Sequence, residues 1–273
     1  MELKPVAVND AMMDCEAASL RVPDGWKCRL DVVWRQNPYD PAVIAGSVSE
    51  PNGPTRLSIF PRESFIDGVS VHDVAGGIYM GSEVRAPVAS PADYVRRIIL
   101  PRFRTDAANP RFLAETDLPE LARDELPKFQ HVPGVQVKAS RVRVVYSLNT
   151  SLVEEEFVCT IGTVPLSGGV VAWGAECSSY RAAKGELDAR LPKLRSIESS
   201  LRLNLPWYAG VLEVSRRMQQ DVPASTTDIA RLSQYISQRS SAIGDVARHS
   251  YERRERVLAK CNGDLDAAIG GAR

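Results

Sequence analysis

The 273-residue sequence lacks the apolar run of about 20 residues that a membrane-spanning helix requires. It also lacks an excess of either charge, because 34 lysines and arginines balance 34 aspartates and glutamates. A nucleic-acid-binding protein usually carries a basic excess, so this balance argues against nucleic acid as a partner. Residues 1–11 have neither the basic nor the apolar region of a signal peptide. We therefore expect a cytoplasmic protein, unless an export signal has been removed from this sequence.

Cysteine is scarce, and its distribution excludes the common cysteine-based sites. The five cysteines form no CxxC pair, and their number is odd. Reduced thiols that are buried as small apolar side chains, in a reducing compartment, are one interpretation. The alternative is a disulfide between Cys159 and Cys177 on neighbouring strands, or between Cys15 and Cys28. Either disulfide would indicate an exported protein.

Motifs for catalysis, cofactors and metals are also missing. The sequence has no GxGxxG after a strand, no Walker loop, no GxSxG, no HExxH and no EF-hand loop. Its histidines, His72, His131 and His249, form no i, i+4 pair that could hold a metal. Cys159 or Cys177 beside one of these histidines remains a conceivable nucleophile, although core cysteines and loop histidines are far commoner. The sequence therefore predicts no catalytic residue, no cofactor and no metal.

The sequence does contain a series of segments that alternate between apolar and polar residues. Three such segments follow one another at about 135–147, 151–163 and 169–177, and this alternation is typical of β-strands. The segment 184–203 instead has apolar residues three and four positions apart, which predicts a helix. In the second strand Glu155 falls on the apolar face, where it needs a partner or a route to water. These patterns predict an α+β fold, a twisted antiparallel sheet with helices packed on it.

Two local features bear on how these strands pair. A turn at residues 149–150 would place Arg143 opposite Glu156, as a cross-strand ion pair. Upstream of Arg143 the alternation changes parity, and a β-bulge near residues 139–140 would explain the change. The register of the central hairpin is therefore predicted together with an irregularity near its start.

Residues 61–89 form a long, poorly periodic segment with four glycines. A connection of this length without regular structure is usually functional or mobile. If the protein has a small-molecule site, we expect it beside this segment. The segment ends where Ser90, Pro91 and Asp93 predict the start of a helix. Pro101 then ends or kinks that helix.

The C-terminal part of the sequence has a different character. We predict a flexible leader at 1–13, a sandwich domain at 14–204, a helical extension at 205–260 and a disordered tail at 261–273. Part of the extension fits a heptad pattern, which predicts a long helix that contacts a partner protein or a second copy of the chain. The alternative is that the helix packs back on its own sheet. The residues predicted to bind the partner are Ile229, Leu232, Ile236, Ile243 and Val246.

A basic cluster lies near the end of this predicted helix, at Arg248, Arg253, Arg254 and Arg256. Basic side chains at that end interact favourably with the helix dipole. A contact with nucleic acid or acidic lipid is the alternative, and the interleaved Glu252 and Glu255 weaken it.

The order of these elements resembles a known family. The turn 23–26 (Pro-Asp-Gly-Trp) leads into a hairpin that contains the strand 57–60 (Leu-Ser-Ile-Phe). A later meander includes 155–157 (Glu-Glu-Phe), and the closing helix contains 194–200 (Leu-Arg-Ser-Ile-Glu-Ser-Ser). Over residues 14–203 this pattern resembles the Mog1/PsbP-like α/β/α sandwich, which includes bacterial DcrB-type proteins. The resemblance implies a small, non-enzymatic binding or assembly domain without a shared active site.

Two functional hypotheses follow from the sequence. The first is a non-enzymatic interaction or assembly module, whose C-terminal helix contacts a protein partner or forms a homo-oligomer. The second is a small-molecule binding protein or hydrolase, whose site lies at the glycine-rich segment 61–89.

Overall fold

The chain builds two β-sheets with helices packed against them, in a computed structural model that describes residues 3–69, 75–129 and 132–220. None of the helices in these ranges is long and apolar enough to cross a membrane. The strands are β1 Leu3–Asp10, β2 Cys15–Pro23, β3 Lys27–Trp34, β4 Ala42–Ser49, β5 Arg56–Ile59, β6 Glu63–Asp67, β7 Ile78–Tyr79, β8 Ser82–Val84, β9 Ala107–Asp117, β10 Gln136–Leu148, β11 Ser151–Pro165, β12 Val171–Ala183 and β13 Arg202–Leu203. The helices are α1 Pro91–Tyr94, α2 Leu100–Phe103, α3 Pro119–Glu125, α4 Leu187–Ser199 and α5 Leu205–Gln220.

The larger sheet contains ten of the described strands. Its main path is β3-β4-β5-β12-β11-β10-β9, and β6 pairs with the first half of β12 while β5 pairs with the second half. Neighbouring strands are antiparallel except β6 and β8, which are parallel. The smaller sheet has the order β1-β2-β13. The α+β class with a predominantly antiparallel sheet is therefore confirmed.

The predicted central meander is confirmed as β10, β11 and β12. Asn149 adopts a positive φ of 53°, which asparagine tolerates better than most residues, in the two-residue turn between β10 and β11. This turn places Arg143 opposite Glu156, as predicted. The third strand continues to Ala183, six residues beyond its predicted end at 177.

The details of the hairpin differ from the prediction in two ways. Arg143 forms ion pairs with Glu154, at 3.4 Å, and with Asp188 of α4, and not with Glu156. The predicted bulge near residues 139–140 is also wrong, because β10 pairs with β11 without a register shift. Ala139 and Ser140 are both buried, so the change of parity there reflects burial on both faces of the strand.

The two faces of the larger sheet carry separate apolar cores. One core joins β11 residues such as Phe157 to the helical segment that begins at α1, where Tyr94 and Ile98 are fully buried. The other core joins Tyr180 of β12 to α4 and to β1 and β2. The sheet is therefore covered on both sides, but α4 covers only part of the second side.

The helical segment after the glycine-rich stretch begins as predicted. The Ser90 side chain accepts a hydrogen bond from the Asp93 backbone N–H, which makes Ser90 the N-cap. A π turn at Val95–Ile99 joins α1 to α2, and Pro101 lies inside α2. Proline cannot donate the usual helical hydrogen bond, and the wider turn before it is consistent with this loss. The helix is therefore modified at Pro101 and does not end there.

Two predicted segments contain strands that the sequence did not indicate, and the predicted boundary at 204 stays a prediction. The leader 1–13 contains β1, which pairs along its whole length with β2. The segment 61–89 contains β6, β7 and β8 in its described part. The predicted boundary at 204 falls just before α5, whose Trp207 and Val211 are buried against Ala17 of β2. Contacts distant in sequence account for β6, which pairs with β12, and for the burial of α5 against β2.

Candidate functional site

A cleft lies on the part of the second sheet face that α4 does not cover. Its floor is formed by β11 and β12, where Thr160 lies opposite Glu176 and Gly162 lies opposite Gly174. Glycine has no side chain, so the pair of Gly162 and Gly174 leaves open space above the two strands. A Cβ at Gly174 would also lie 3.1 Å from the backbone oxygen of Glu63. The floor is thus shaped by two glycines that face each other across neighbouring strands.

The cleft consists of two adjoining cavities of about 140 and 350 Å³. One wall is α5, through Tyr208 and Ser215, and the other comes from the segment 61–89, through Ser64 and Ser82. Ser215 donates a hydrogen bond of 2.7 Å to the carbonyl of Pro38, which fixes α5 to the loop before β4. The residues that line both cavities are Ala42, Arg62, Glu125, Thr160, Glu176 and Tyr208.

Charged side chains meet inside this cleft. The Arg62 guanidinium lies 3.4 Å from the Glu176 carboxylate, and their side chains are 29% and 47% exposed. Asp40 forms a 2.6 Å ion pair with Arg35, which also donates a 2.5 Å hydrogen bond to the carbonyl of Arg62. These contacts hold the acidic groups in fixed positions while water or a ligand can still reach them.

The surroundings shift several pKa values in the cleft. Burial raises the pKa of Asp40, and the guanidiniums of Arg62 and Arg35 offset only part of this rise. Burial opposes the charge of Arg62, but Glu176, Asp40 and Glu125 outweigh it and raise its pKa. Burial also raises the pKa of Tyr208 to about 12, so its hydroxyl is neutral near pH 7. The cleft therefore combines partly desolvated carboxylates with a neutral phenol.

The formal charge of the cleft is negative. Its described lining carries four carboxylates and two guanidiniums. Arg35, which pairs with Asp40 behind the lining, reduces the excess to one negative charge. No group of three or more histidine, cysteine, aspartate or glutamate side chains in the described ranges is arranged to hold a metal ion. The charged lining residues are Asp40, Glu125, Glu176, Glu198, Arg62 and Arg202.

A second polar cluster is buried inside the larger sheet. Glu155 is fully buried, and its carboxylate accepts hydrogen bonds from Arg104 (2.6 and 3.0 Å), Tyr146 (2.5 Å) and Ser179 (2.5 Å). Arg181 also donates a hydrogen bond to the Tyr146 hydroxyl. The partner that the sequence requires for Glu155 is therefore Arg104, which is 51 residues away in the chain. Because the Glu155 carboxylate is buried and already hydrogen-bonded to three side chains, we do not place a ligand site there.

The residues predicted from sequence to bind a partner are not placed by the structure. Ile229, Leu232, Ile236, Ile243 and Val246 all lie outside the described residues, as does the tail 261–273. The basic cluster of Arg248, Arg253, Arg254 and Arg256 lies outside them too, and so do His72, His131 and His249.

The cleft itself was only partly anticipated by the sequence. Arg62, Ser64 and Ser82 of the segment 61–89 line the cleft, and the expectation of a small-molecule site beside this segment stays a prediction. Tyr39, Asp40 and Tyr208 were missed, because no motif or spacing connects positions so far apart in the chain. Only the opposed glycines gave a signal, Gly162 near the end of one predicted strand and Gly174 inside the next, since glycine in a strand often marks a close approach.

Comparisons with known proteins give distant similarities only. No protein-family model and no curated protein matches the chain. Among solved structures, cyanobacterial PsbP (CyanoP) from Synechocystis sp. PCC 6803 has 10% identity and a TM-score of 0.27, covering 74% of this chain and 92% of that one. A protein of unknown function from Pseudomonas aeruginosa, PA94, has 12% identity and a TM-score of 0.25, with coverages of 75% and 99%. LpqN, involved in cell envelope biogenesis of Mycobacterium tuberculosis, has 14% identity and a TM-score of 0.27, with coverages of 75% and 92%.

Proposed function

We propose that this chain is a non-enzymatic binding module, and that its cleft binds a small ligand that carries an amine or guanidinium group. The observation that carries the proposal is the excess of carboxylates over guanidiniums in a partly enclosed cavity. A cleft of one charge sign raises the local concentration of ligands of the opposite sign. The sequence pattern resembles the Mog1/PsbP-like sandwich, and the non-enzymatic binding or assembly role that this resemblance implies agrees with the proposed binding role.

The side chains around the acidic groups suit a cation with a short apolar part. Tyr39 and Tyr208 place aromatic rings at the cavity wall, and a cation over such a ring is attracted by its π system. Val164 and Ile66 supply apolar surface for the remainder of the ligand. The combination of an apolar wall with a few placed polar groups is typical of small-molecule sites.

The ligand class can be tested with simple probes of matched size. We expect butane-1,4-diamine and butylguanidine to bind in isothermal titration calorimetry, and pentanoate and butanol to bind at least about tenfold more weakly, a difference of about 1.4 kcal/mol. Glu176→Gln should weaken cation binding by a similar factor, because it removes a charge without changing shape. The exposed Glu120, on α3, provides the matched control Glu120→Gln, which should leave binding unchanged. Stronger binding of pentanoate than of the diamine would contradict the proposal.

Assembly through the C-terminal segment is the second candidate function. It is favoured by the seven-residue spacing of Ile229, Ile236 and Ile243, which is the spacing of a coiled-coil seam. In this proposal the segment forms the long helix that the sequence predicts, and it contacts a second copy of the chain or a protein partner.

Light scattering behind size exclusion tests this second candidate. We expect the full chain to have the mass of a defined oligomer, and the double variant Ile236→Asp with Ile243→Asp to have the mass of a monomer. A charge in an apolar seam remains unpaired and desolvated, so the interface is lost. Ser237→Asp with Ser241→Asp places the same charges off the seam and should leave the mass unchanged. An unaltered mass in the isoleucine variant, together with unaltered recovery of a protein partner, would eliminate the seam.

A further inference from the structure

Two cysteines face each other across the central strands of the larger sheet. Cys159 of β11 is the direct register partner of Cys177 of β12, and their sulfur atoms are 2.7 Å apart. Both are free thiols with 0% and 6% of their surface exposed. They lie in the apolar core beside Phe157 and Ala175.

We infer that Cys159 and Cys177 form a structural disulfide when this chain folds in an oxidising compartment. A disulfide requires Cα atoms about 4.4–6.8 Å apart. Directly opposed residues in antiparallel strands are about 4.5 or 5.5 Å apart, so the backbone need not move. Cys15 and Cys28 are not opposed in this way, because Cys15 pairs with Asp10 and Cys28 pairs with Val48.

The reaction is a thiol–disulfide exchange with a small-molecule disulfide such as glutathione disulfide. The thiolate of one cysteine attacks this oxidant, forms a mixed disulfide and releases one glutathione thiolate. The second cysteine, as a thiolate, then attacks the sulfur of the first and releases the other glutathione. Two protein thiols are oxidised to one disulfide, one glutathione disulfide is reduced to two glutathione molecules, and the protons of the thiols remain with solvent and the released glutathione.

Burial determines when this exchange can occur. The surrounding core and the neighbouring Cys159 thiol raise the pKa of Cys177 well above its ordinary value, so the reactive thiolate is scarce in the folded protein. Glutathione disulfide must also reach sulfur atoms that the sheet and the helices cover. The bond therefore forms while the strands are coming together, and once it is enclosed it resists reduction for the same reasons.

The disulfide would also fix the floor of the cleft. Thr160 and Glu176 are the next register pair after Cys159 and Cys177, and they point to the opposite face of the sheet. A covalent link at the cysteines holds these two strands together directly beneath the cleft carboxylate. The inference does not depend on which ligand the cleft binds, since it rests on the strand register alone.

Refolding of the full chain tests the inference. The protein is denatured with reductant, refolded in a glutathione redox buffer, and digested without reduction for mass spectrometry. We expect one cross-linked peptide pair that joins Cys159 to Cys177 and has lost two hydrogen atoms. The oxidised protein should melt several degrees higher than the reduced one, because the bond restricts the unfolded chain.

A kinetic comparison tests the timing. Reduced protein that is already folded should oxidise at least about tenfold more slowly in glutathione disulfide than protein that is allowed to refold in it. Equal rates would show that the thiols are accessible in the folded state and would overturn this part of the inference.

Matched variants identify the cysteines that take part. The triple variant Cys15→Ser, Cys28→Ser, Cys261→Ser should keep the cross-link and the higher melting temperature. Cys159→Val, which keeps the site apolar, should melt like the reduced protein in either buffer. A cross-link to a different cysteine, or alkylation of both thiols after oxidative refolding of the unsubstituted chain, would overturn the inference without requiring any variant to fold.

Discussion

Replacement of Glu155 by alanine is expected to lower the free energy of unfolding by about 3–5 kcal/mol, the cost of breaking a buried ion pair from one side. The carboxylate accepts hydrogen bonds from Arg104, Tyr146 and Ser179, and none of these three residues is more than 7% exposed. Without Glu155, the buried Arg104 guanidinium has no opposite charge beside it. Equilibrium denaturation in guanidinium chloride measures the loss directly.

Two further variants distinguish the effect of the unpaired charge from the effect of lost packing. Glu120→Gln removes an exposed carboxylate and should change stability by less than about 0.5 kcal/mol. The double variant Glu155→Leu with Arg104→Met removes both charges, and it should be far less destabilising than Glu155→Ala. If the single and double variants are equally destabilised, the unpaired charge is not the cause, and packing alone explains the effect.

The cluster around Glu155 also makes the stability of the fold depend on pH, and the direction of this dependence follows from the pKa of Glu155. Burial acts against the Glu155 charge, but Arg104 outweighs it and holds the pKa of this carboxyl below its ordinary value of 4.5. A carboxyl whose pKa is lower in the folded state stabilises the fold above its unfolded pKa, and the stabilisation is lost as pH falls toward the folded pKa. Glu155→Gln should therefore flatten the part of the stability–pH curve that lies below about pH 4.5.

Replacement of Trp207 by alanine is expected to cost about 3–5 kcal/mol, the usual range for a buried tryptophan. Its ring is 4% exposed and packs against Ala17 and Ala42, and its indole N–H donates a 2.7 Å hydrogen bond to Asp10. Asp10 is itself buried, and its other side-chain donor is the indole N–H of Trp34. The substitution therefore removes apolar contact and leaves a buried carboxylate with fewer donors.

Other variants near Trp207 distinguish the loss of apolar contact from the loss of the hydrogen bond to Asp10. Trp207→Phe keeps most of the apolar contact and should cost about 1.5–3 kcal/mol for the lost hydrogen bond to a charged group. Leu205→Ala alters a side chain on the same helix that is 51% exposed, and it should be nearly neutral. A chain that ends at Asn204 should be less stable than the Trp207→Ala variant, because all of α5 is missing. A truncated chain as stable as the full one would support the predicted domain boundary at 204.

The sequence predicted those parts of the fold whose determinants are local. The strands β10 and β11 alternate beside the turn that joins them, and this turn suits Asn149, so both their existence and their register followed. The N-cap at Ser90 is also a local signal. β1 was missed because its neighbour β2 buries only part of one face, and its exposed lysine and proline hide the alternation.

The cleft could not be predicted from the sequence, because its residues come from positions that no local pattern connects. Asp40, Arg62 and Glu176 meet only because β4, β6 and β12 belong to one sheet, in which β6 pairs with β12 and β5 lies between β4 and β12. Each residue alone is an ordinary surface charge in the sequence, and only their convergence in a cleft gives them a collective charge. The same holds for Glu155, whose need for a partner was evident while the identity of that partner was not.

The position of β12 between β5 and β11 has a consequence for synthesis on the ribosome. Ile59 pairs with Ser178 and Arg56 pairs with Arg181. More than a hundred residues must therefore be synthesised after β5 before β12 can cover the edge of β5 that faces away from β4. At about 5–20 residues per second, this delay lasts on the order of ten seconds. Throughout it, β3, β4 and β5 present an open edge with unpaired backbone groups, to which other nascent chains can add. Until β12 is made, the edge of β5 is therefore a place where this chain can aggregate.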